Sequence, residues 1–408
     1  MKKIILGVLA LMTGAIGFAQ ANNSDVDQTG TDLTSKVHQK GEENQAKQTQ
    51  TGENLKAYII QSGTKNKATQ TQELIGTKAI IHQKGNENIA TQTQSKGLGS
   101  GVNKAVVKQD GYKNEATQKQ LSYEGNKAII VQKGNENTAT QIQTGDRGFA
   151  FIKQMDRTNQ ASQTQDGFDN KVTIEQSGIE NIAIQDQEGE NNAAKTIQSN
   201  NRNYAIQTQK GTDSRVVINQ SGVFNKATQN QLAVASKSKA TTIQSGNNNI
   251  AEQTQNDGRN KATINQSGNV NTAEQIQTNT ATDDTKNRVT IKQEGNNGYA
   301  YQIQEGILNR ARIIQKGIAD KAYQYQYGLE GTASIIQGGG RENKGIQSQH
   351  AFSEKLTARL IQDGSFNDSY QNQFGDLHTS NVIQIGDHHI SNVDQSGSNN
   401  SSTVFQTN

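Results

Sequence analysis

Apolar and polar positions alternate over short stretches of this chain, and the stretches recur. Residues 127–145 read KAIIVQKGNENTATQIQTG, and residues 78–94 read KAIIHQKGNENIATQTQ. Within each stretch the recurring residues lie two apart, as Ala128, Ile130 and Gln132 do. A period of two predicts β-strands, because successive side chains of a strand point to opposite faces. The Gly and Asn residues between the alternating segments suit turns with positive φ.

Glutamine marks this repeat along almost the whole chain. It recurs every 11 residues from Gln28, and short insertions shift its phase without ending it. In one half of each repeat a β-branched residue, such as Ile130, usually stands two places before the last Gln. The other half has Gln at that place in all 15 units from Gln48 to Gln371. The true period is therefore about 22 residues, with two unlike strands in each repeat.

This pattern predicts an all-β fold, a β-solenoid of about 17 stacked two-strand coils. At the usual strand spacing the stack is a rod on the order of 80 Å long. Most insertions follow the Gln-x-Gln strand, as at 95–101 and around Asp283 and Asp284, and stacked coils favour loops along one edge. A right-handed coiled coil also has an 11-residue period, but the regularly placed Gly and Asn would break its helices.

We expect the recurring residues to face the interior and the variable ones to face water. An unpaired buried amide costs about 1–3 kcal/mol, but stacked Gln side chains can pair with their copies in adjacent coils. Solvated Gln would drift to Glu, Lys or Ser, and the centres of the Gln-x-Gln strands show no such drift. The variable positions include Lys67, Thr69, Lys119, Asp186, Asn230 and Tyr325.

The candidate site is therefore a structural glutamine ladder and its turns. The ladder residues are Gln39, Gln48, Gln50, Gln61, Gln70, Gln72, Gln83, Gln92, Gln94, Gln132, Gln141, Gln143, Gln176, Gln220 and Gln266. The turn residues are Gly63, Asn66, Gly85, Asn88, Gly134 and Asn137.

Composition limits the alternatives. Only 30% of the residues are hydrophobic and there is no Pro or Cys; taken alone, such polarity is typical of a disordered or a β-aggregating chain. A net charge of +3 is small for a nucleic-acid-binding protein of 408 residues. Residues 1–21 combine Lys2 and Lys3, a short apolar run and a small-residue end, which predicts a secretory signal peptide cleaved after Ala19 or Ala21. The solenoid is then expected over residues 22–408, exported and without disulfides.

Three weaker signals have plain structural explanations. We expect His378, His388 and His389 to lie near opposite turns, where they cannot converge on a metal ion. A recurrent Asn-Lys-Ala sequence can stack its lysines along one edge, where they would bind an anionic polymer such as polysaccharide or extracellular DNA. Glu and Thr residues interleave with these lysines, however, which favours an ordinary solvated face. The lysines are Lys67, Lys104, Lys127, Lys171, Lys226 and Lys261. Outward Thr pairs resemble ice-binding arrays but are irregular.

No catalytic arrangement or cofactor motif stands at a repeat position, so we expect no enzymatic activity.

The stretch from Gln132 through Gly134, Asn137 and Ala139 to Gln143 resembles the curlin repeat, Gln-x-Gly-x2-Asn-x-Ala-x3-Gln. Full copies also begin at Gln39, Gln61, Gln83, Gln109, Gln176, Gln220, Gln244 and Gln266. The chain departs from the family in its many repeats, in an Asn where curlins usually carry Ser, as at Asn103, Asn126, Asn170 and Asn260, and in Ser for Ala at Ser369, Ser391 and Ser402.

The resemblance implies an extracellular functional amyloid. Curlins leave the cell through an outer-membrane pore and polymerise on a nucleator subunit into fibres for biofilm matrix and adhesion. For this chain it implies a homopolymer growing head-to-tail from open strand edges near Gln28 and Gln406. The alternative function is a monomeric solenoid that serves as a surface adhesin or binding module, with ice binding a distant third.

Overall fold

The chain folds as the predicted stack of two-strand coils. The computed structural model describes residues 21–408 except 74, 96–101, 123–124, 233–236, 257, 279–285 and 352–354. Almost all of the predicted signal peptide, the insertion at 96–101 and the pair Asp283 and Asp284 therefore lie outside the described residues. The described residues form 34 strands, numbered along the chain, in two parallel sheets of 17 strands each.

The odd-numbered strands form one sheet, here called the glutamine sheet because its strands carry the Gln-x-Gln sequence. Each strand between the first and the last pairs with the strands one coil before and one coil after it, so the order in space follows the order in the chain. Its strands are β1 Asn23–Thr31, β3 Gln45–Glu53, β5 Lys67–Gln72, β7 Ile89–Gln94, β9 Glu115–Gln120, β11 Thr138–Gln143, β13 Gln160–Phe168, β15 Ile182–Glu190, β17 Tyr204–Thr212, β19 Lys226–Gln231, β21 Ile250–Gln255, β23 Thr272–Thr278, β25 Tyr299–Ile307, β27 Lys321–Leu329, β29 Lys344–His350, β31 Asp368–Asp376 and β33 Ile390–Ser398.

The even-numbered strands form the second sheet, here called the isoleucine sheet. Pairing is in register, so that Gln132 lies beside Gln109 on one side and Gln154 on the other. Its strands are β2 Thr34–Glu42, β4 Lys56–Thr64, β6 Lys78–Asn86, β8 Lys104–Tyr112, β10 Lys127–Asn135, β12 Phe149–Arg157, β14 Lys171–Gln176, β16 Ala193–Ser199, β18 Arg215–Val223, β20 Lys239–Asn247, β22 Lys261–Ser267, β24 Arg288–Gln293, β26 Arg310–Gln315, β28 Thr332–Gln337, β30 Thr357–Asp363, β32 Thr379–Ile385 and β34 Ser401–Thr407.

The core is a narrow layer between the two sheets. Buried Ile side chains of the isoleucine sheet, such as Ile59, Ile81 and Ile130, pack against buried Ala residues of the glutamine sheet. Each such Ile contributes roughly 1.5–3 kcal/mol by leaving water. The small Ala side chains leave room for the long Gln side chains beside them. The alternation confirms the predicted inward set, and the six outward residues named above are all at least partly exposed.

Glycine at the turn after the isoleucine-sheet strand is required by close stacking. Gly85 has a φ of 105°, and a Cβ atom there would lie 2.0 Å from the carbonyl oxygen of Gly111 in the next coil. Gly63 and Gly134 have positive φ values as well, and a Cβ at either would meet the next coil's backbone equally closely. The predicted role of Gly at this turn is therefore confirmed for these three residues.

A positive φ is the wrong prediction for the three candidate turn asparagines, Asn66, Asn88 and Asn137. The left-handed residue is the one before each Asn, namely Lys65, Glu87 and Glu136, with φ values of 55–56°. Asn66, Asn88 and Asn137 are instead fully buried. A chain reversal that turns these amides into the interior needs its left-handed residue one position earlier.

Within the described residues there is no helix long and apolar enough to cross a membrane.

Candidate functional site

Three continuous ladders of glutamine amides run along the interior. In each rung the side-chain Nε2 donates to the Oε1 of the next coil's Gln, at 2.6–3.2 Å. The central ladder lies in the middle of the glutamine sheet and runs from Gln48 to Gln371. One outer ladder ends the glutamine-sheet strands, from Gln28 to Gln395, and the other ends the isoleucine-sheet strands, from Gln39 to Gln406.

The amide of Gln141 shows how a central rung is satisfied. Its Oε1 accepts from Nε2 of Gln118 at 2.8 Å. Its Nε2 donates to Oε1 of Gln163 at 2.9 Å and to the carbonyl oxygen of Ile129, across the core, at 3.1 Å. Both amide hydrogens are therefore used, and the side chain is fully buried. The ladder thus joins neighbouring coils and also the two sheets.

All fifteen predicted ladder residues lie in these three columns. Gln48, Gln70, Gln92 and Gln141 belong to the central ladder, and Gln50, Gln72, Gln94 and Gln143 to the outer ladder of the glutamine sheet. The outer ladder of the isoleucine sheet contains Gln39, Gln61, Gln83, Gln132, Gln176, Gln220 and Gln266.

The central ladder stops one coil short of each end and is capped there by serine. Ser35 Oγ donates to Oε1 of Gln48, which has no preceding Gln. Gln371 Nε2 donates to Ser380 Oγ at 2.8 Å. At the ends of the column Val26 and Val393 take the place of Gln. The outer ladders, by contrast, continue to the first and last coils, and among the described residues no serine caps them.

A buried asparagine ladder, which the sequence analysis missed, accompanies the glutamines. The backbone N–H of Asn137 donates to Oδ1 of Asn114 at 3.1 Å, and the same contact joins Asn159 to Asn137. Each Asn Nδ2 also reaches a carbonyl oxygen in the next coil's turn, as Asn66 reaches Gly85 at 2.7 Å. The sequence signal was an Asn five residues after most isoleucine-sheet Gln residues, as Asn137 follows Gln132.

Asp320 occupies one place in this asparagine column. Its Oδ1 accepts from the backbone N–H and from Nδ2 of Asn343, at 3.1 and 3.2 Å, and its Oδ2 accepts from the backbone N–H of Gly317. Burial nevertheless raises the pKa of this carboxyl to about 6, because loss of water outweighs these hydrogen bonds.

The three histidines lie at the turns, as predicted. His389 takes a place in the asparagine column, and His378 takes the equivalent place at the opposite turn; each directs its Nε2 to a backbone carbonyl, of Ile385 and Phe374 respectively. His388 stacks on Phe366 with ring centroids 5.0 Å apart. Among the residues that the structure describes, no three His, Asp or Glu side chains are grouped as a metal site would need.

The fold and its ladders define a β-solenoid repeat protein whose interior is stacked amides. No known protein-family description and no curated protein matches the chain. The resemblance to the curlin repeat therefore remains a prediction drawn from the motif itself.

We predict that Gln118→Leu destabilises the coils around it, whereas Lys119→Leu on the outer face does not. The Leu side chain leaves one amide hydrogen of Gln92 without an acceptor, while the other still donates to the carbonyl oxygen of Ile80, and it leaves Oε1 of Gln141 without a donor. Two unsatisfied buried groups cost roughly 2–6 kcal/mol. Hydrogen exchange of the β7–β11 amides, compared in the two variants, measures the difference. Equal protection in both variants would show that the ladder adds no stability.

The raised pKa of Asp320 predicts a pH-dependent stability. Because the folded pKa of about 6 exceeds the ordinary 3.8, the stabilising contribution of this carboxyl is complete below pH 4. It is lost as the pH rises through 6, by about 3 kcal/mol in all. The Asp320→Asn variant should therefore exchange its β25–β29 amide hydrogens more slowly than the parent at pH 8 but not at pH 4. The exchange rates are corrected for the intrinsic effect of pH. Asp363→Asn, on the exposed surface, is the control; the prediction fails if Asp320→Asn leaves the pH dependence unchanged.

Proposed function

We propose that this protein is the structural subunit of an extracellular, curli-like amyloid fibre that grows head-to-tail. The observation that carries the proposal is the interior of the two terminal coils. Both strands of each terminal coil have Ser, Val and Gln at the three inward places, whereas most other coils have Ala, Ile or Gln, and Gln. The inward residues are Ser24, Val26, Gln28, Ser35, Val37 and Gln39 in the first coil, and Ser391, Val393, Gln395, Ser402, Val404 and Gln406 in the last.

The two ends match when the last coil of one copy is stacked beneath the first coil of another. In the register used inside the chain, β33 of one copy pairs with β1 of the next, and β34 pairs with β2. Val then faces Val, Ser faces Ser and Gln faces Gln in both strands. The serine caps leave no central glutamine unpaired at this junction.

The direction of the outer ladders favours the same arrangement. Inside the chain, each Gln donates its Nε2 towards the later coil. Among the described residues, no Gln therefore donates to Oε1 of Gln28, while Gln395 and Gln406 have Nε2 groups facing the next position. Within the described residues, β1, β2, β33 and β34 each pair on one side only. A second copy would supply the missing donors and acceptors of both backbone and side chains. Such a contact is heterologous and does not close, so it gives filaments.

The biological setting of the proposal comes from the resemblance to curlins. It comprises export directed by the signal peptide, passage through an outer-membrane pore, nucleation by a partner subunit, and fibres that serve biofilm matrix and adhesion.

An aromatic cluster favours the second candidate, a monomeric surface adhesin. On the outer face of the glutamine sheet, the rings of Tyr301 and Tyr325 lie 5.8 Å apart, and those of Tyr327 and His350 stack at 4.9 Å. Grouped aromatic side chains are a common means of binding other molecules. This candidate has the same fold but needs no contact between copies.

Assembly of the purified chain without its signal peptide separates the two candidates. We expect fibrils that bind amyloid dyes and give reflections near 4.7 and 10 Å, the spacings of strands and of packed sheets. Sedimentation that shows only monomer over days at concentrations up to about millimolar would overturn the fibre proposal and leave the adhesin.

A charge exchange at the junction tests its register. Stacking β33 on β1 places Asp394 beside Asp27, both on the outer face, and like charges directly opposite destabilise a sheet. We predict that Asp394→Lys or Asp27→Lys speeds seeded elongation by roughly 2- to 10-fold. The double variant, which restores a like-charged pair, should return towards the original rate.

Asp166→Lys is the matched control, since it makes the same charge change on the outer face in the middle of the rod. If it speeds elongation as much as Asp394→Lys does, net charge rather than a β33–β1 junction sets the rate. If fibres form but none of these variants changes the elongation rate, head-to-tail assembly would stand and the β33–β1 register would be rejected.

A further inference from the structure

A continuous stripe of basic side chains follows one edge of the isoleucine sheet. It is formed by the first residue of each strand from β4 to β26, and ten of these twelve positions are Lys or Arg. The basic residues are Lys56, Lys78, Lys104, Lys127, Lys171, Arg215, Lys239, Lys261, Arg288 and Arg310. Phe149 and Ala193 fill the other two places, so no acidic residue interrupts the column.

The stripe is straight and regularly spaced. Its members lie one strand spacing apart, so it extends for about 50 Å along the rod. All ten side chains are exposed or partly exposed. None of them takes part in the ion pairs found among the described residues, which lie mostly at the turns and at other outer positions. Three of them lie over aromatic rings, Lys127 and Lys171 over Phe149 at 5.4 and 5.7 Å and Lys78 over Tyr58 at 5.6 Å.

The equivalent column of the opposite sheet has no such character. There the first residues of successive strands include Lys67, Ile89, Glu115, Thr138 and Gln160. The sequence template is the same for both sheets, so the stripe is not a by-product of the repeat. Along the chain Glu and Thr interleave with Lys at these places, but the structure separates them into a mixed column on the glutamine sheet and a basic column on the isoleucine sheet.

We propose that the stripe is a binding site for a linear acidic polysaccharide, one that carries carboxylates along an extended chain. A row of uncompensated cations creates a potential that attracts a polyanion, and Arg can bind carboxylates through two hydrogen bonds. An extended, flexible polymer can follow the straight row and meet successive cations. This site is independent of fibre growth, because it lies on the side of the rod and not at its ends.

Nucleic acids fit the same row less well. The phosphates of duplex DNA wind around its axis, so a straight row of cations meets them only at intervals, despite one charge per about 1.7 Å of axis. Single-stranded nucleic acid is usually held by aromatic side chains on which the bases stack. Phe149 is the one aromatic residue among the twelve positions of the stripe.

The experiment measures binding of the exported chain to polygalacturonate by light scattering or calorimetry. Lys104, Lys127, Lys239 and Lys261 are replaced together by Gln, and the matched control replaces Lys67, Lys226, Lys321 and Lys344, which begin strands of the glutamine sheet. Both variants lose four charges. We expect the stripe variant to bind at least about 10-fold more weakly and the control to bind nearly as the parent.

Four further measurements test the chemistry of the ligand. Replacing the same four lysines by Arg should preserve binding, and raising the salt from about 50 to 200 mM should weaken it. Neutral dextran should not bind. Equal loss in both Gln variants, or no binding of polygalacturonate by the parent, would overturn the proposal. Tighter binding of duplex or single-stranded DNA at equal charge concentration would reject the polysaccharide in favour of nucleic acid.

Discussion

The structure depends on one geometric match, between the spacing of parallel in-register strands and the reach of a primary amide. At about 4.8 Å between strands, a Gln side chain can donate to its copy above while accepting from its copy below. The match holds only if every coil has Gln at the same place, since one gap leaves a buried donor and a buried acceptor. The repeat is therefore strict where the amides are buried and loose where the side chains meet water.

Several other features follow from this close stacking. Glycine is needed at the turn because the next coil's carbonyl oxygen occupies the space of a Cβ atom. Alanine beside the ladder makes room for the long amides, and Ile supplies most of the apolar burial. Where Thr196 and Thr242 replace Ile, their hydroxyls bridge successive central rungs, at 2.9–3.2 Å. These two departures from the repeat therefore add hydrogen bonds to the central ladder.

The ends and the sides of the rod present different chemistry. At the ends the central ladder is closed by serine and valine while the outer ladders stay open, which favours a second copy in one orientation. Along the sides, the outer faces are free of the ladder constraint and have diverged, giving an aromatic cluster on one sheet and a basic stripe on the other. The proposed growth and the proposed binding of a polysaccharide would therefore use separate surfaces of the rod.

The sequence by itself determined the strands, the two-strand coil, the inward residues and the glutamine ladders, because each depends on a short period that repeats many times. It did not reveal that Asn137 is buried while Glu136 takes the left-handed turn, since both conformations fit the same letters. Only the tertiary structure decided which residues meet across coils and sheets. Ser35 reaches Gln48 from the opposite sheet, and the ten cations align because insertions of different length leave the strands in register. Such contacts join residues whose separation in the chain varies, so no single period could predict them.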